Sequence, residues 1–298
     1  MTVGPTESGW HVALRTDAGP REANEDSVLS MRLGNGAHVI ALADGMGGLE
    51  MGDVASRTAL EALKSAMIRG GTLQDAVQAA NRAVFERADG RKMGSTLVVA
   101  HAVGHRVTVA NVGDSRAYRC TPLGIRRISI DHTHAEEARI SGAAGDIEAV
   151  AGRWANALTR SLGGRPEIEV DLFGPFEVDE GESILLFSDG VHGVLSDSRI
   201  EAWSQTLDDP EAAVHELVRL ALGAGSEDNT SAVLLHRPST TLGLQPAALR
   251  RRVPNWNPKT LMERSPVPRR KKHWGRVLST LAALAGLAVA AAAWLLMR

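Results

Sequence analysis

Two apolar segments of this chain end in the same dipeptide and set the strongest constraint on its fold. Residues 38–43 run into Asp44-Gly45, and residues 183–188 run into Asp189-Gly190. Each run predicts a strand that leaves a core and presents the aspartate at its tip, where glycine allows close approach of backbone or ligand. The two tips can meet if the strands lie in two packed sheets.

Acidic pairs also flank two other strand-like runs, at Glu25-Asp26 and Glu227-Asp228. The sequence therefore predicts that the acidic positions 26, 44, 189 and 228 converge on hard cations. Taken alone, each Asp-Gly pair is equally typical of a plain hairpin turn, and Asp228-Asn229-Thr230 of an Asx turn.

Hydrophobic periodicity predicts an α+β fold. The predicted strands are 10–15, 26–31, 37–43, 95–102, 106–112, 115–120, 125–129, 183–188 and 230–236, and the predicted helices are 50–68, 73–88, 134–141, 197–206 and 209–222. The two long helices fall between groups of strands rather than alternating with single strands. This arrangement favours antiparallel sheets covered by helices over a doubly wound parallel sheet.

The last 21 residues before Arg298, positions 277–297, contain no charge and follow the basic cluster 269–276. At ~1.5 Å per residue such a helix spans a ~30 Å hydrocarbon core. Because basic residues remain cytoplasmic, we expect a single-pass anchor in the cell (inner) membrane with residues 1–276 in the cytoplasm. A buried, alanine-rich core helix is the alternative. The expected organisation is a globular domain at 9–238, a Pro/Arg-rich linker at 239–276 and a transmembrane helix at 277–297.

Composition excludes several functional classes. The chain of 298 residues has a net charge of -2, which gives no indication of a nucleic-acid partner. Its only cysteine, Cys120, excludes an intramolecular disulfide framework and a cysteine-rich zinc site. Cys120 and Arg126 have the Cys-x5-Arg spacing of thiol phosphatases, but the intervening residues predict a turn into a strand. A catalytic thiol needs a helix N-terminus, so we reject that interpretation.

Carboxylates, a backbone carbonyl and water are the ligands that Mg²⁺ or Mn²⁺ prefers. Two such ions can hold a hydroxide in line with a phosphorus atom. On this interpretation Asp44 bridges the ions, and the remaining donors are Glu25, Asp26, the Gly45 carbonyl, Asp189 and Asp228. Arg21 is the candidate phosphate-binding residue because its guanidinium can bond two phosphate oxygens. A surface ion pair of Arg21 with Asp17 or Glu22 is the alternative.

These residues belong to eight ordered sequence blocks through which the chain resembles the metal-dependent protein phosphatases of the type 2C (PPM) family. The blocks are Arg21–Asp26, Ala43–Gly48, Gly94–Thr96, Asn111–Arg116, Asp131–Thr133, Asn156–Arg160, Ser188–Gly190 and Asp228-Asn229. The resemblance implies a central sandwich of two antiparallel β-sheets flanked by pairs of helices. It also implies hydrolysis of phosphoserine and phosphothreonine in proteins with two Mn²⁺ or Mg²⁺ ions, and a third in bacterial members.

Carried over to this chain, the resemblance makes Asp44, Asp189 and Asp228 the core metal ligands, with Gly45 binding through its carbonyl. Glu25 and Asp26 complete the site largely through water, Asp114 joins Asp189 at the third ion, and Arg21 binds the substrate phosphate. The implied partners are phosphorylated proteins and a cognate Ser/Thr kinase with its targets.

Two departures from the family pattern stand out. Met46 occupies the position where many eukaryotic members have a histidine proposed as general acid, so protonation of the leaving group falls to a metal-bound water or another residue. The flap, residues 134–155, lacks the family's usual His-Pro segment before Leu158-Thr159-Arg160. The altered flap motivates one alternative function, a catalytically silent regulator that binds phosphoproteins. Another is a dedicated regulator of an anti-sigma antagonist or a secretion-system component.

Overall fold

The computed structural model describes residues 9–47, 51–142, 154–207, 209–239 and 262–264, the last as backbone only. The strands are β1 (His11–Asp17), β2 (Asp26–Arg32), β3 (His38–Met46), β4 (Gly94–Ser95), β5 (Leu97–Val103), β6 (Arg106–Val112), β7 (Arg116–Thr121), β8 (Gly124–Arg127), β9 (Asp171–Glu177), β10 (Ser183–Phe187), β11 (Thr230–His236) and β12 (Met262–Arg264). The helices are α1 (Met51–Ile68), α2 (Leu73–Ala88), α3 (His134–Ser141), α4 (Asp189–His192), α5 (Asp197–Ser204) and α6 (Pro210–Gly223).

The strands form two antiparallel sheets. One has the order β1-β11-β10-β7-β8, and the other has the order β12-β9-β6-β5-β3-β2, with the short β4 paired to β3. Apolar side chains such as Val98, Val109 and Ile184 fill the space between the sheets. Leu63 and Val77 of α1 and α2 cover the outer face of one sheet, and Leu217 of α6 covers the other. The predicted α+β sandwich flanked by helices is confirmed.

Strand β3 is apolar throughout because both of its faces are covered. Ile40 and Leu42 point into the space between the sheets, whereas Val39, Ala41 and Ala43 pack under α1 and α2. Successive side chains of a strand face opposite sides of its sheet, so a central strand with both faces covered needs apolar residues throughout. Complete burial of a Val, Leu or Ile side chain contributes about 1.5–3 kcal/mol, which makes this strand a firm support for Asp44.

Local sequence signals set several helix boundaries. Thr72 and Thr133 cap α2 and α3 by accepting a bond from the backbone N–H three residues on, and Asp209 caps α6 immediately before Pro210. Side-chain caps of this kind satisfy N–H groups that lack partners in the first helical turn. The predicted helix start at Asp209-Pro210 is confirmed.

Three local expectations differ from the structure. Strand β9 was not predicted, because Gly174-Pro175 interrupts it and proline disfavours central strands. Asp44 lies within β3, which continues to Met46, rather than at its tip. Strand β10 ends at Phe187, and Asp189 instead begins the short helix α4.

The predicted transmembrane helix at 277–297 lies outside the described residues, as do most of the predicted linker and residues 143–153 of the flap. Within the segments that the structure describes, no helix is both long and apolar enough to span a bilayer. Strand β12 falls inside the predicted linker and pairs with β9 at the sheet edge.

The environment of Cys120 predicts an unreactive thiol. Its side chain is buried in β7, and burial raises the pKa of the thiol to about 12. We expect the native protein to resist alkylation by iodoacetamide at pH 8 and to react rapidly once unfolded in guanidinium, as mass spectrometry would show. Rapid modification of the native protein would return the thiol to consideration as a catalytic group.

Candidate metal centre

Asp44 is held by backbone and hydroxyl groups of the segment that follows β4. The Asp44 N–H donates to Thr96 Oγ1 (3.0 Å), and the Asp44 carbonyl accepts from the Thr96 N–H (2.8 Å) and from Ser95 Oγ (3.0 Å). Thr96 Oγ1 also hydrogen-bonds Ser115 Oγ at 2.8 Å. The backbone of Asp44 is therefore clamped, and the clamp extends to the residue after Asp114.

Asp26 lies directly opposite Asp44 in the β2–β3 register. Its Oδ2 accepts a hydrogen bond from Ser188 Oγ (2.8 Å), although Asp26 lies in one sheet and Ser188 directly follows β10 of the other. Its Oδ1 is buried and has no hydrogen-bond partner among the described residues. A buried carboxylate oxygen without a donor is costly in a protein interior and marks a position for a cation or a bridging water.

Asp189 reaches the same place from the second sheet, since α4 follows β10. Burial raises the pKa of Asp189, the charge of Asp228 adds to that rise, and the Asp44 carboxyl lies close enough to interact with Asp189. Gly190 fits because a Cβ at this position would overlap the carbonyl oxygen of Asn229. The close approach of α4 to the segment before β11 therefore requires glycine.

Asn229 attaches the loop between β1 and β2 to the start of β11. Its side-chain Oδ1 accepts from the Glu25 N–H (2.8 Å), and its Nδ2 donates to the carbonyls of Ala18 (3.0 Å) and Ala23 (2.9 Å). Asn229 thus fixes the segment that carries Arg21, Glu25 and Asp26. This contact gives the predicted Asp228-Asn229 turn a long-range role.

Arg21 makes neither of the ion pairs considered as alternatives, with Asp17 or Glu22. Its Nη2 donates to Asp228 Oδ2 (2.8 Å) and its Nε donates to the Glu227 carbonyl (2.9 Å). Arg21 remains about half exposed. A guanidinium carries five N–H donors, more than these two bonds use, so Arg21 can hold Asp228 and still meet an anion.

Glu25 lies against the N-terminus of α1. Its carboxylate lies directly against the Gly52 backbone, where a Cβ would overlap it. The neighbouring Gly45 donates its N–H to the Glu25 carbonyl (3.1 Å) and has no room for a Cβ beside the Gly52 carbonyl. A carboxylate is stabilised at a helix N-terminus by unpaired N–H groups and the helix dipole.

Asp114 lies in the turn between β6 and β7, and two histidines support this turn. The Gly113 N–H donates to His132 Nδ1 (2.9 Å), so we assign the His132 proton to Nε2, which donates to Asp171 Oδ2 (3.2 Å). His192 Nε2 lies 3.1 Å from the Asp114 carbonyl, and burial lowers the pKa of His192 to about 4. A neutral His192 therefore donates to that carbonyl.

The acidic side chains influence one another strongly. Burial raises the pKa of Asp26 to about 7, with further contributions from the charges of Asp189 and Asp228. Burial likewise raises the pKa of Asp114 to about 7, with Asp189 the leading neighbouring charge. The pKa of Asp44 is raised well above its ordinary range, first by burial and then by the other four carboxylates. Such mutual repulsion shows that these groups share one low-dielectric region.

The donor set fits hard divalent cations, because it consists of carboxylate and carbonyl oxygens, including the unpartnered Asp26 Oδ1. Among the residues that the structure describes, no three acidic, histidine or cysteine side chains form a closed ligand cluster around one point. We therefore infer from their electrostatic coupling that the aspartates lie close to one another. Metal binding by the individual residues stays a prediction.

Two ion-pair networks adjoin the carboxylate cluster, and the sequence patterns predicted neither network. Arg116 makes a two-pronged contact with Asp131, which also pairs with Arg127. Arg160 donates to Asp171 (2.7 Å), the aspartate that also accepts from His132. These networks border a cleft of about 830 Å³ under α3. Most of these residues fall in the sequence blocks 111–116, 131–133 and 156–160, but the blocks did not predict their contacts. Asp171 and His192 had no sequence signal.

Comparison with known proteins gives consistent matches. The model of the protein phosphatase 2C family matches residues 18–169. The serine/threonine phosphatase stp of Listeria monocytogenes is 30% identical over 249 residues, which cover 78% of this chain and 98% of that protein. The structure of the S. agalactiae serine/threonine phosphatase is similar with a TM-score of 0.69, at 28% identity, over 76% of this chain and 99% of that one. The catalytic domain of the phosphatase PstP, crystallised with two manganese ions, is similar with a TM-score of 0.63 at 30% identity, over 77% and 99%.

The raised pKa values predict an unusual pH dependence for the metal-free protein. When folded, Asp26 and Asp114 keep their protons up to about pH 7, whereas the ordinary value is 3.8. Between these pH values the folded state binds more protons than the unfolded state, so its free energy of unfolding falls as pH rises. We expect the melting temperature in EDTA to decrease from pH 5 to pH 7.5.

Replacement of one buried carboxyl by an amide tests the origin of this dependence. Asp114→Asn should flatten the decrease and raise the melting temperature in EDTA at pH 7.5. The exposed Glu86→Gln on α2 serves as control and should leave the decrease intact. A flat wild-type profile between pH 5 and pH 7.5 would contradict the placement of these carboxyls.

Proposed function

The chain belongs to the protein phosphatase 2C family of serine/threonine protein phosphatases, and from this premise we propose how its own residues carry out the reaction. The chain removes phosphate from serine and threonine residues of kinase targets. In this proposal Asp44, Asp189 and Asp228 hold two Mn²⁺ or Mg²⁺ ions together with the Gly45 carbonyl. The single observation that supports this most strongly is the hydrogen bond from Ser188, the residue before Asp189, to Asp26, which lies opposite Asp44 in the other sheet.

Bound metal ions would supply a nucleophilic hydroxide at neutral pH and neutralise charge on the phosphoryl group. Glu25 and Asp26 would complete the site largely through water, and Asp114 with Asp189 would hold a third ion. Arg21 stands at the exposed rim and binds the substrate phosphate through N–H donors that its bonds to Asp228 and Glu227 leave available. The hydrogen bond to Asp228 also restrains the Arg21 side chain.

Among the residues that the structure describes, neither Met46 nor His192 can act in place of the histidine that many eukaryotic members have at the Met46 position. Met46 pairs with Gly94 at the end of β3, and its thioether cannot donate a proton. His192 is also a poor general acid, because its pKa of about 4 leaves it neutral and its Nε2–H is engaged with the Asp114 carbonyl. We therefore propose that neither residue protonates the leaving group and that the proton comes from water.

The residues beyond the globular domain determine where the enzyme works. We propose that residues 239–276 form a linker and that 277–297 anchor the chain in the cell membrane, with residues 9–238 in the cytoplasm. The support is the 21-residue uncharged segment and the basic cluster that precedes it. Tethering raises the effective concentration of membrane-bound substrates, among which a cognate Ser/Thr kinase is a natural partner.

Substitution of the central aspartates tests the catalytic assignment. Asp44→Asn and Asp189→Asn should each lower kcat by about a hundredfold or more, because each removes a charged metal ligand without changing side-chain volume. The assay is Mn²⁺-dependent hydrolysis of p-nitrophenyl phosphate and of a phosphothreonine peptide by the full chain. Glu216→Gln, an exposed carboxylate on α6, is the matched control. Wild-type turnover in both aspartate variants would overturn the assignment, and peptide binding without phosphate release would favour a silent regulator.

Arg21 has two separable roles that kinetics can distinguish. If it binds phosphate, Arg21→Ala should raise KM for the phosphopeptide about tenfold or more, and Arg21→Lys should restore part of the loss. If it serves only to hold Asp228, the same variant should weaken Mn²⁺ activation and leave KM at saturating metal unchanged. Measurement of KM at several Mn²⁺ concentrations separates these results, and the second one would refute phosphate binding.

Deletion of residues 277–298 tests the anchor. The truncated protein should retain peptide turnover, because the active site lies within the globular domain, but should act more slowly on a phosphorylated kinase reconstituted in vesicles. The comparison uses equal enzyme concentrations with and without vesicles. Equal rates of the two forms on the vesicle-bound kinase would speak against anchoring.

A further inference from the structure

Strand β12 occupies the edge of the sheet that carries Asp44. It pairs antiparallel with β9 in the register Met262 to Phe173, Glu263 to Leu172 and Arg264 to Asp171. Without this pairing β9 would be the edge strand, since β6 lies on its other side. An open edge presents unpaired N–H and C=O groups that can pair with another chain.

The sequence of β9 limits its pairing with β12 at the Phe173 end, the last of the three pairs among the described residues. Gly174-Pro175 follows directly after Phe173, and the β6–β9 register shifts between Val107 and Val109 at the same level. Proline has no N–H to donate, so a regular ladder cannot continue past it. The docking edge of β9 is therefore restricted to residues 171–173.

This short edge is connected to the metal centre through side chains of β9. Asp171 accepts hydrogen bonds from His132 and Arg160, and His132 accepts from the Gly113 N–H beside Asp114. The backbone that β12 pairs with is thus the backbone that positions Asp171. Pairing at this edge restrains an element that supports the active site.

We infer that residues 171–173 form a strand-docking site and that its occupant is the chain's own segment 262–264, which adds to the sheet through main-chain hydrogen bonds. Positions 240–261 separate this segment from the end of the globular domain, and at ~3.3 Å per residue they can extend about 70 Å, enough to return to β9. Addition of an extended segment to a sheet edge is a recurrent mode of peptide recognition. Docking in cis protects the edge and attaches the C-terminal part of the chain to the catalytic domain.

Proline substitution in the full chain tests this inference by hydrogen exchange. The N–H groups of an antiparallel strand alternately face its partner and face away. Glu263→Pro and the double variant Met262→Pro/Arg264→Pro should therefore differ, with one of them accelerating exchange of amides in 171–173 at least tenfold. The triple alanine variant at 262–264 is the control and should keep wild-type protection, because alanine preserves every backbone donor.

Several results would overturn the inference. Wild-type protection of 171–173 in both proline variants would show that 262–264 does not dock there, and equal loss in the alanine variant would show that docking is not through the main chain. Protection that rises with protein concentration would assign the strand to a second copy. Phosphopeptide turnover measured on the same samples reports the active site separately, so this inference can fail while the phosphatase function stands.

Discussion

The carboxylates that the two sheets bring together repel one another, and this repulsion is the constraint on which the rest of the structure depends. Asp26 and Asp44 come from one sheet and Asp189 follows the other; Asp26 is buried, and Asp44 and Asp189 are partly buried. Groups in this situation are stable only when protonated or when compensated by positive charge. Without compensating positive charge these carboxylates therefore oppose folding, and cation binding would relieve their repulsion.

Neutral polar side chains keep these carboxylates in place. Ser188 donates to Asp26 across the sheets, Thr96 clamps the backbone of Asp44, and Asn229 fixes the loop that carries Glu25. Hydrogen bonds from neutral donors can position an anion without cancelling its charge, which leaves the carboxylates able to bind a metal ion. The sequence blocks shared with the family therefore contain supporting residues as well as ligands.

The sequence predicted the elements with strong periodicity, and it predicted the grouping of the acidic residues through their position after strands. β6 and α2 follow their predicted bounds, because apolar runs and side-chain caps are local signals. Strand β9 was not predicted because Gly174-Pro175 is typical of turns. The strand conformation of β9 depends on the neighbouring strands of its sheet. The role of Asn229 could not be predicted, since its partners lie more than 200 positions away.

Diffraction from a crystal soaked in Mn²⁺ and measured at the manganese absorption edge tests the central claim most directly. We expect two anomalous peaks between the sheets. Both should lie within about 2.0–2.3 Å of carboxylate oxygens, and Asp44 should contact each of them. Peaks confined to the protein surface, or two ions neither of which contacts Asp44 or Asp189, would contradict the claim that these aspartates join the two halves of the sandwich into one metal centre.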